Sequence, residues 1–103
     1  MSPTERSLKA LRADGWLCQV VEKWNPHSRT RLDLFGFVDI LALRGGETLA
    51  VQATSRSNVS IRANKIAEHE NVAAVRKAGW RLEVWGWSKN SAGRWDVRVV
   101  DLS

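Results

Sequence analysis

With one cysteine, Cys18, the sequence cannot close a disulfide within itself. A lone thiol inside an apolar run (Trp16 to Val21) reads as a small buried core residue in a protein kept in a reducing compartment. The opening Met1-Ser2-Pro3-Thr4-Glu5 has no apolar signal-peptide core, and no stretch reaches the ~18 apolar residues that cross a bilayer. These absences predict a cytoplasmic protein with no membrane partner. Linkers, internal repeats and low-complexity tracts are missing too, which predicts a single domain over residues 1–103. Acidic residues are in short supply, with 11 Asp and Glu against 16 Lys and Arg and a net charge of +5. A basic surface favours polyanions, of which nucleic acid is the commonest. Eleven of those 16 cations are arginine, which grips phosphate through two parallel hydrogen bonds.

What is present is an ordinary folding sequence, 44% hydrophobic and 26% charged, which excludes disorder. Ser2-Pro3-Thr4-Glu5 starts a helix: Ser2 caps it, Pro3 takes the first helical position and Glu5 completes a capping box. Leu8 and Leu11 give that helix an apolar stripe, and Asp14-Gly15 ends it. Trp16 to Val21 predicts a strand, and the polar stretch Lys23 to Arg31 a surface loop. Phe37 to Leu43 and Thr48 to Thr54 are strands joined by a tight turn at Gly45-Gly46. A helix is expected from about Ile61 to Ala78, stopped by Gly79, followed by strands at Arg81 to Trp87 and Trp95 to Val100. The order is αβββαββ, an α/β fold.

If Gly45 and Gly46 are the two turn residues, paired positions in the hairpin sum to 91, and Asp39 falls across from Gln52. Alternation then separates two faces. Val38, Ile40, Ala42, Leu49, Val51 and Ala53 make a wholly apolar one. The other carries Asp39, Gln52 and Thr54 among Phe37, Leu41, Leu43 and Ala50. A carboxylate in that setting needs a hydrogen bond, an ion-pair partner or a cation. Mg²⁺ takes hard oxygen ligands, and a carboxylate, an amide oxygen and a backbone carbonyl all qualify. The alternative is an Asp39 that faces water near a sheet edge and bonds only Gln52 and Thr54. A slip of one residue in register would dissolve the constellation.

These residues resemble the PD-(D/E)XK nucleases, and in layout the archaeal-type Holliday junction resolvases. That family carries a helix glutamate, a strand aspartate and an acid-x-lysine on the partner strand. Glu5 stands in the opening helix, Asp39 heads an apolar strand, and Gln52-Ala53-Thr54 follows at the family's spacing. The helix end Val75-Arg76-Lys77-Ala78-Gly79-Trp80 and the strand after it match the next two elements, so the similarity covers about Thr4 to Trp87. The resemblance implies a restriction-endonuclease-like fold, a central mixed sheet flanked by helices, and metal-assisted hydrolysis of DNA phosphodiesters in recombination and repair. One or two Mg²⁺ (or Mn²⁺) ions would be held by Asp39, Gln52, the Ala53 carbonyl and Glu5. Two departures bear on this. Gln52 replaces a carboxylate and Thr54 the lysine, so Lys65, or else Arg62, would have to supply the missing positive charge.

Each of these residues also has a plainer role. Glu5 is a capping acid, Lys65 a solvated helix residue, and Asp33 either an outer ligand or a loop breaker. His27, in the polar stretch, either serves DNA contact or proton transfer or simply faces water. Arg29, Arg31, Arg56 and Arg62 flank the site and are expected to touch backbone phosphates without reading sequence. Trp16, Trp80 and Trp95 are expected to pack at strand starts. Trp85 and Trp87 share a face with Arg81 and Glu83, opposite Leu82 and Val84, and that aromatic face predicts self-association. A twofold homodimer would present two active sites to the paired strands of a branched DNA. Two rivals remain. One is a DNA-binding module that keeps the nuclease fold without the chemistry; the other is an interaction protein whose basic surface blocks a partner.

Overall fold

The computed structural model describes every residue from 1 to 103. Helix α1 (Pro3–Ala13) starts at the expected cap, where Ser2 Oγ accepts the Glu5 N–H at 3.1 Å and donates to Glu5 Oε1 at 3.2 Å. Strands β1 (Leu17–Val20), β2 (Lys23–Asn25), β3 (Thr30–Leu32), β4 (Ile40–Arg44) and β5 (Glu47–Ser55) follow. A short 3-10 turn (Arg56–Asn58) leads into α2 (Val59–Ala67) and α3 (Val72–Lys77), and β6 (Arg81–Lys89) and β7 (Trp95–Asp101) complete the chain. Five strands form one mixed sheet in the order β1-β4-β5-β6-β7. Only β5 and β6 run parallel, because the connection between them is the helical crossover.

The β4–β5 hairpin has the expected register, from Arg44 opposite Glu47 to Ile40 opposite Val51. Gly45 and Gly46 turn the chain with φ of +54° and +83°, a pair that glycine adopts without steric cost. One face, through Ile40, Ala42, Leu49 and Val51, packs against Leu11, Trp16 and Cys18. The other, through Ala50, Leu82 and Val84, packs against Val59, Ala63 and Ile66 of α2 and Val72 and Val75 of α3. Helices therefore cover both faces of the sheet, which is why its central strands are apolar on both sides. At Gly86 the 3-10 turn lies directly on β6, and a Cβ there would collide with Val59 Cγ2 and sit 3.0 Å from Arg56 Cα.

Three expectations need correction. The stretch from Lys23 to Leu32 is not an open loop but a separate two-stranded hairpin, β2 with β3, pairing Trp24 with Arg31. Its turn is held by Asn25 Oδ1, which accepts the His27 N–H at 3.0 Å, and by Arg29 at φ +53°. The long helix is broken between Ala67 and Val72, where His69 Nδ1 accepts the Asn71 N–H at 3.0 Å and competes with the helical ladder. Trp85 and Trp87 do sit on the face opposite Leu82 and Val84, but α1 covers that face. Trp87 Nε1 donates to Ser7 Oγ at 2.9 Å, Trp85 Nε1 donates to Glu83 Oε1 at 3.0 Å, and Trp85 packs against the core under α1. The aromatic pair is thus half-buried against α1 within the chain rather than presented as a bare aromatic face. No helix is long and apolar enough to cross a membrane.

Candidate functional site

Asp39 immediately precedes β4, and there the ladder departs from its register. Its N–H donates to Val51 O at 3.0 Å, one residue off the sum of 91, and its carbonyl accepts the Val21 N–H at 2.8 Å. The carboxylate turns to β5, where Oδ2 accepts the Ala53 N–H at 2.9 Å. The residue is only 6% exposed. Two further acids reach it from chain segments brought together by strand pairing. Glu22 follows β1, Asp33 follows β3, and carboxylate oxygens of Glu22, Asp33 and Asp39 all lie within 4.8 Å of one another. Arg31 Nη1, at the rim, pairs with Glu22 at 2.9 Å.

Burial pushes the Asp39 carboxyl up from 3.8 to about 7, against the pull of the Ala53 N–H, and the neighbouring Asp33 and Glu22 charges push the same way. Three acids so close repel one another, and one guanidinium at the edge does not neutralise them. A divalent cation would, and carboxylate oxygens are the donors such ions prefer.

Gln52 adds an independent sign. It is 4% exposed, and its Nε2 donates to Phe37 O at 3.1 Å. That bond orients the amide, leaving Oε1 as the one buried side-chain polar atom without a partner. Leaving such an oxygen unpaired costs about 1–3 kcal/mol. Gln52 lines a cleft of about 380 Å³ together with Asp33, Arg62, Lys65 and His69. Asp33 belongs to both the acid cluster and the cleft, so it joins the two. Arg62 and Lys65 stand three residues apart on α2, which brings both cations to one side of that helix.

His69 and Glu22 escaped sequence reading. His69 lines the cleft and stands edge-on to Phe37, with ring centroids 5.0 Å apart. Because Nδ1 accepts the Asn71 N–H, the neutral ring carries its proton on Nε2, which faces Gly36. Gly36 has φ +94°, and a Cβ there would run into the His69 ring. The only signal for His69 was the polar run Glu68-His69-Glu70-Asn71 inside a helical pattern. Glu22 gave none, since it meets Asp39 only through the pairing of Val20 with Ile40.

The remaining candidates sit elsewhere or act differently. Glu5 is exposed and held in its cap, apart from the three clustered acids. Ala53 meets Asp39 through its N–H rather than its carbonyl. Thr54 is buried opposite Gly86 and does not line the cleft. His27 and Arg29 lie exposed in the β2–β3 turn, Arg31 in the ion pair with Glu22, and Arg56 in a different cleft beyond β5.

Comparison with protein-family models, with curated proteins and with solved structures finds no match for this chain.

Proposed function

We propose that the chain is a metal-dependent DNA endonuclease of the PD-(D/E)XK type, with a restriction-endonuclease-like fold and a preference for branched DNA like that of archaeal-type junction resolvases. One observation carries the reading: three converging carboxylates adjoin, through Asp33, a cleft lined by an arginine, a lysine and Gln52, whose amide oxygen is buried and unpaired. Acids that suit a divalent cation and bases that suit a phosphate meet at Asp33, as hydrolysis of a phosphodiester requires.

Asp39, Asp33, Glu22 and Gln52 Oε1 fit Mg²⁺ or Mn²⁺, because all are oxygen donors and none but Asp39 Oδ2 and Glu22 Oε1 is otherwise engaged by protein. When bound, such an ion supplies positive charge that polarises a phosphate and acidifies a water. Lys65 and Arg62 hold the phosphate oxygens and oppose the charge that builds on them, the task of the lysine that Thr54 replaces. His69 Nε2–H stands at the same cleft as a donor to phosphate or leaving group. Resolving a junction takes two cuts, so the proposal carries a twofold dimer with it, through a surface other than the one α1 covers.

Thr54 favours a second reading, a nuclease-like module that binds DNA without cutting it. The test incubates labelled four-way junction and linear duplex with Mg²⁺ or Mn²⁺. Wild type is expected to cut, and Asp39→Ala to lose at least ~100-fold in rate, the scale of losing a group that stabilises transition-state charge. Tight, salt-sensitive binding with no cutting would leave the module in its place.

A further inference from the structure

Beyond the end of β5, on the far side of Ser55 from Gln52, a second cleft of about 330 Å³ opens between the start of α1 and the end of β6. Arg6, Arg56 and Lys89 line it, and no carboxylate does. The Arg6 guanidinium carbon lies 3.6 Å from the centroid of the Trp95 ring, and Lys89 Nζ stands 5.9 Å from the same centroid. The chain's ion pairs engage Arg31, Arg44 and Arg81, so these three cations are left without a carboxylate partner. None of their side chains makes a hydrogen bond within the protein either, whereas Arg44 and Arg76 each cap a backbone carbonyl.

Three unpaired cations in one groove repel each other, and an anion seated among them would relieve that repulsion. Stacking on Trp95 fixes the Arg6 guanidinium plane and leaves its N–H edge free, the geometry that grips two oxygens of one phosphate. Ser55 and Ser57 line the same groove, their hydroxyls 3.2 Å apart and bonded to each other, which leaves one O–H of the pair as an additional donor. No Asn, Gln, Asp or Glu side chain lines it, so it lacks the groups that read adenine and cytosine edges.

We propose that this groove is a phosphate clamp for a nucleic-acid backbone, holding the strand on one side of the point of cleavage. The identity of the ligand rests on the nuclease reading of the Gln52 cleft. Ser55 stands three positions beyond Gln52 on β5, about 10 Å of extended chain, or roughly three base steps of duplex rise. The first cleft is lined from α2 and this groove from the start of α1, on the two faces of the sheet, so a strand that occupies both passes around this end of β5. The clamp positions DNA independently of sequence, and a positioning contact shows itself in the salt dependence of binding.

The test measures the affinity of the full chain for labelled duplex and four-way junction in EDTA across a series of salt concentrations. Lys89→Ala and Arg56→Ala, both at exposed positions, are compared with Arg12→Ala and Lys77→Ala, exposed cations outside the groove. Each groove variant is expected to lower the slope of log affinity against log salt by about one, and the double variant by about two. The two controls are expected to leave the slope as in wild type. Groove variants with the wild-type slope, controls that lose as much, or a wild type that binds neither DNA would each overturn the clamp. Cutting is scored separately with Mg²⁺. An uncut substrate with the expected change in slope removes the enzyme and keeps the clamp; cutting with an unchanged slope removes the clamp alone.

Discussion

Taking a carboxylate out of water is costly, and Asp39 pays that cost beside two other acids with one backbone N–H to offset it. The consequence is a pH dependence of definite sign. Unfolded, Asp39 titrates near 3.8; folded, it titrates at about 7. Between these values the native state keeps a proton that the unfolded chain has released, so stability falls as pH rises through that window and levels off above it. The size is on the order of a few kcal/mol. Urea unfolding in EDTA should therefore give a midpoint that declines from about pH 4 to about pH 7. Asp39→Asn, which keeps an acceptor for the Ala53 N–H, should flatten most of that decline. An equal decline in the variant would mean that other groups are responsible. The sequence made Asp39 and Gln52 legible as an acid and an amide in a largely apolar hairpin, but not as a facing pair: the register is lost at Asp39, whose carboxylate meets Ala53 while Gln52 turns to Phe37. It did not reveal that Gln52 keeps one oxygen unpaired, since that depends on where the Phe37 carbonyl lies.

At the scale of elements, what could be read depended on whether the signal was local. Gly45-Gly46 sets the β4–β5 register by turn geometry alone, and the observed pairing follows it from Arg44 opposite Glu47 to Ile40 opposite Val51, departing from it at Asp39. The β2–β3 hairpin was hidden because its residues are polar and its strands are three residues long, too short to display alternation. The break between α2 and α3 was hidden because Val72 and Val75 continue an apolar face, while the interruption comes from His69 capping Asn71. Both hidden features shape the site: the hairpin delivers Asp33 at its far end, and the break delivers His69. Gly86 illustrates a different constraint, a close approach of backbone rather than a turn. Gly86→Ala would push the 3-10 turn and Val59 off β6, and overpacking of this kind costs about 1–3 kcal/mol. A denaturation midpoint equal to wild type would show that the crossover sits less tightly on the sheet than described.

Over the whole molecule, the candidate site draws on four stretches of chain that only the sheet and its crossover bring together: Glu22, Asp33 with Asp39, Gln52, and Arg62 to His69. No sequence window contains it: the acids near Asp39 follow β1 and β3, while Glu5 of the opening helix stands apart from them. A ligand set assembled this way exists only in the folded chain, so an ion that binds it also stabilises the fold. The basic excess of the sequence divides correspondingly: Lys65 and Arg62 stand at the acid-linked cleft, while Arg6, Arg56 and Lys89 gather in the second. The most direct measurement is calorimetric titration of Mn²⁺ into wild type, Asp39→Asn and Glu5→Gln at neutral pH. Saturable binding in wild type and Glu5→Gln, lost in Asp39→Asn, is the predicted result. Wild type that takes up no Mn²⁺, or an Asp39→Asn that binds it as tightly, would contradict the assignment.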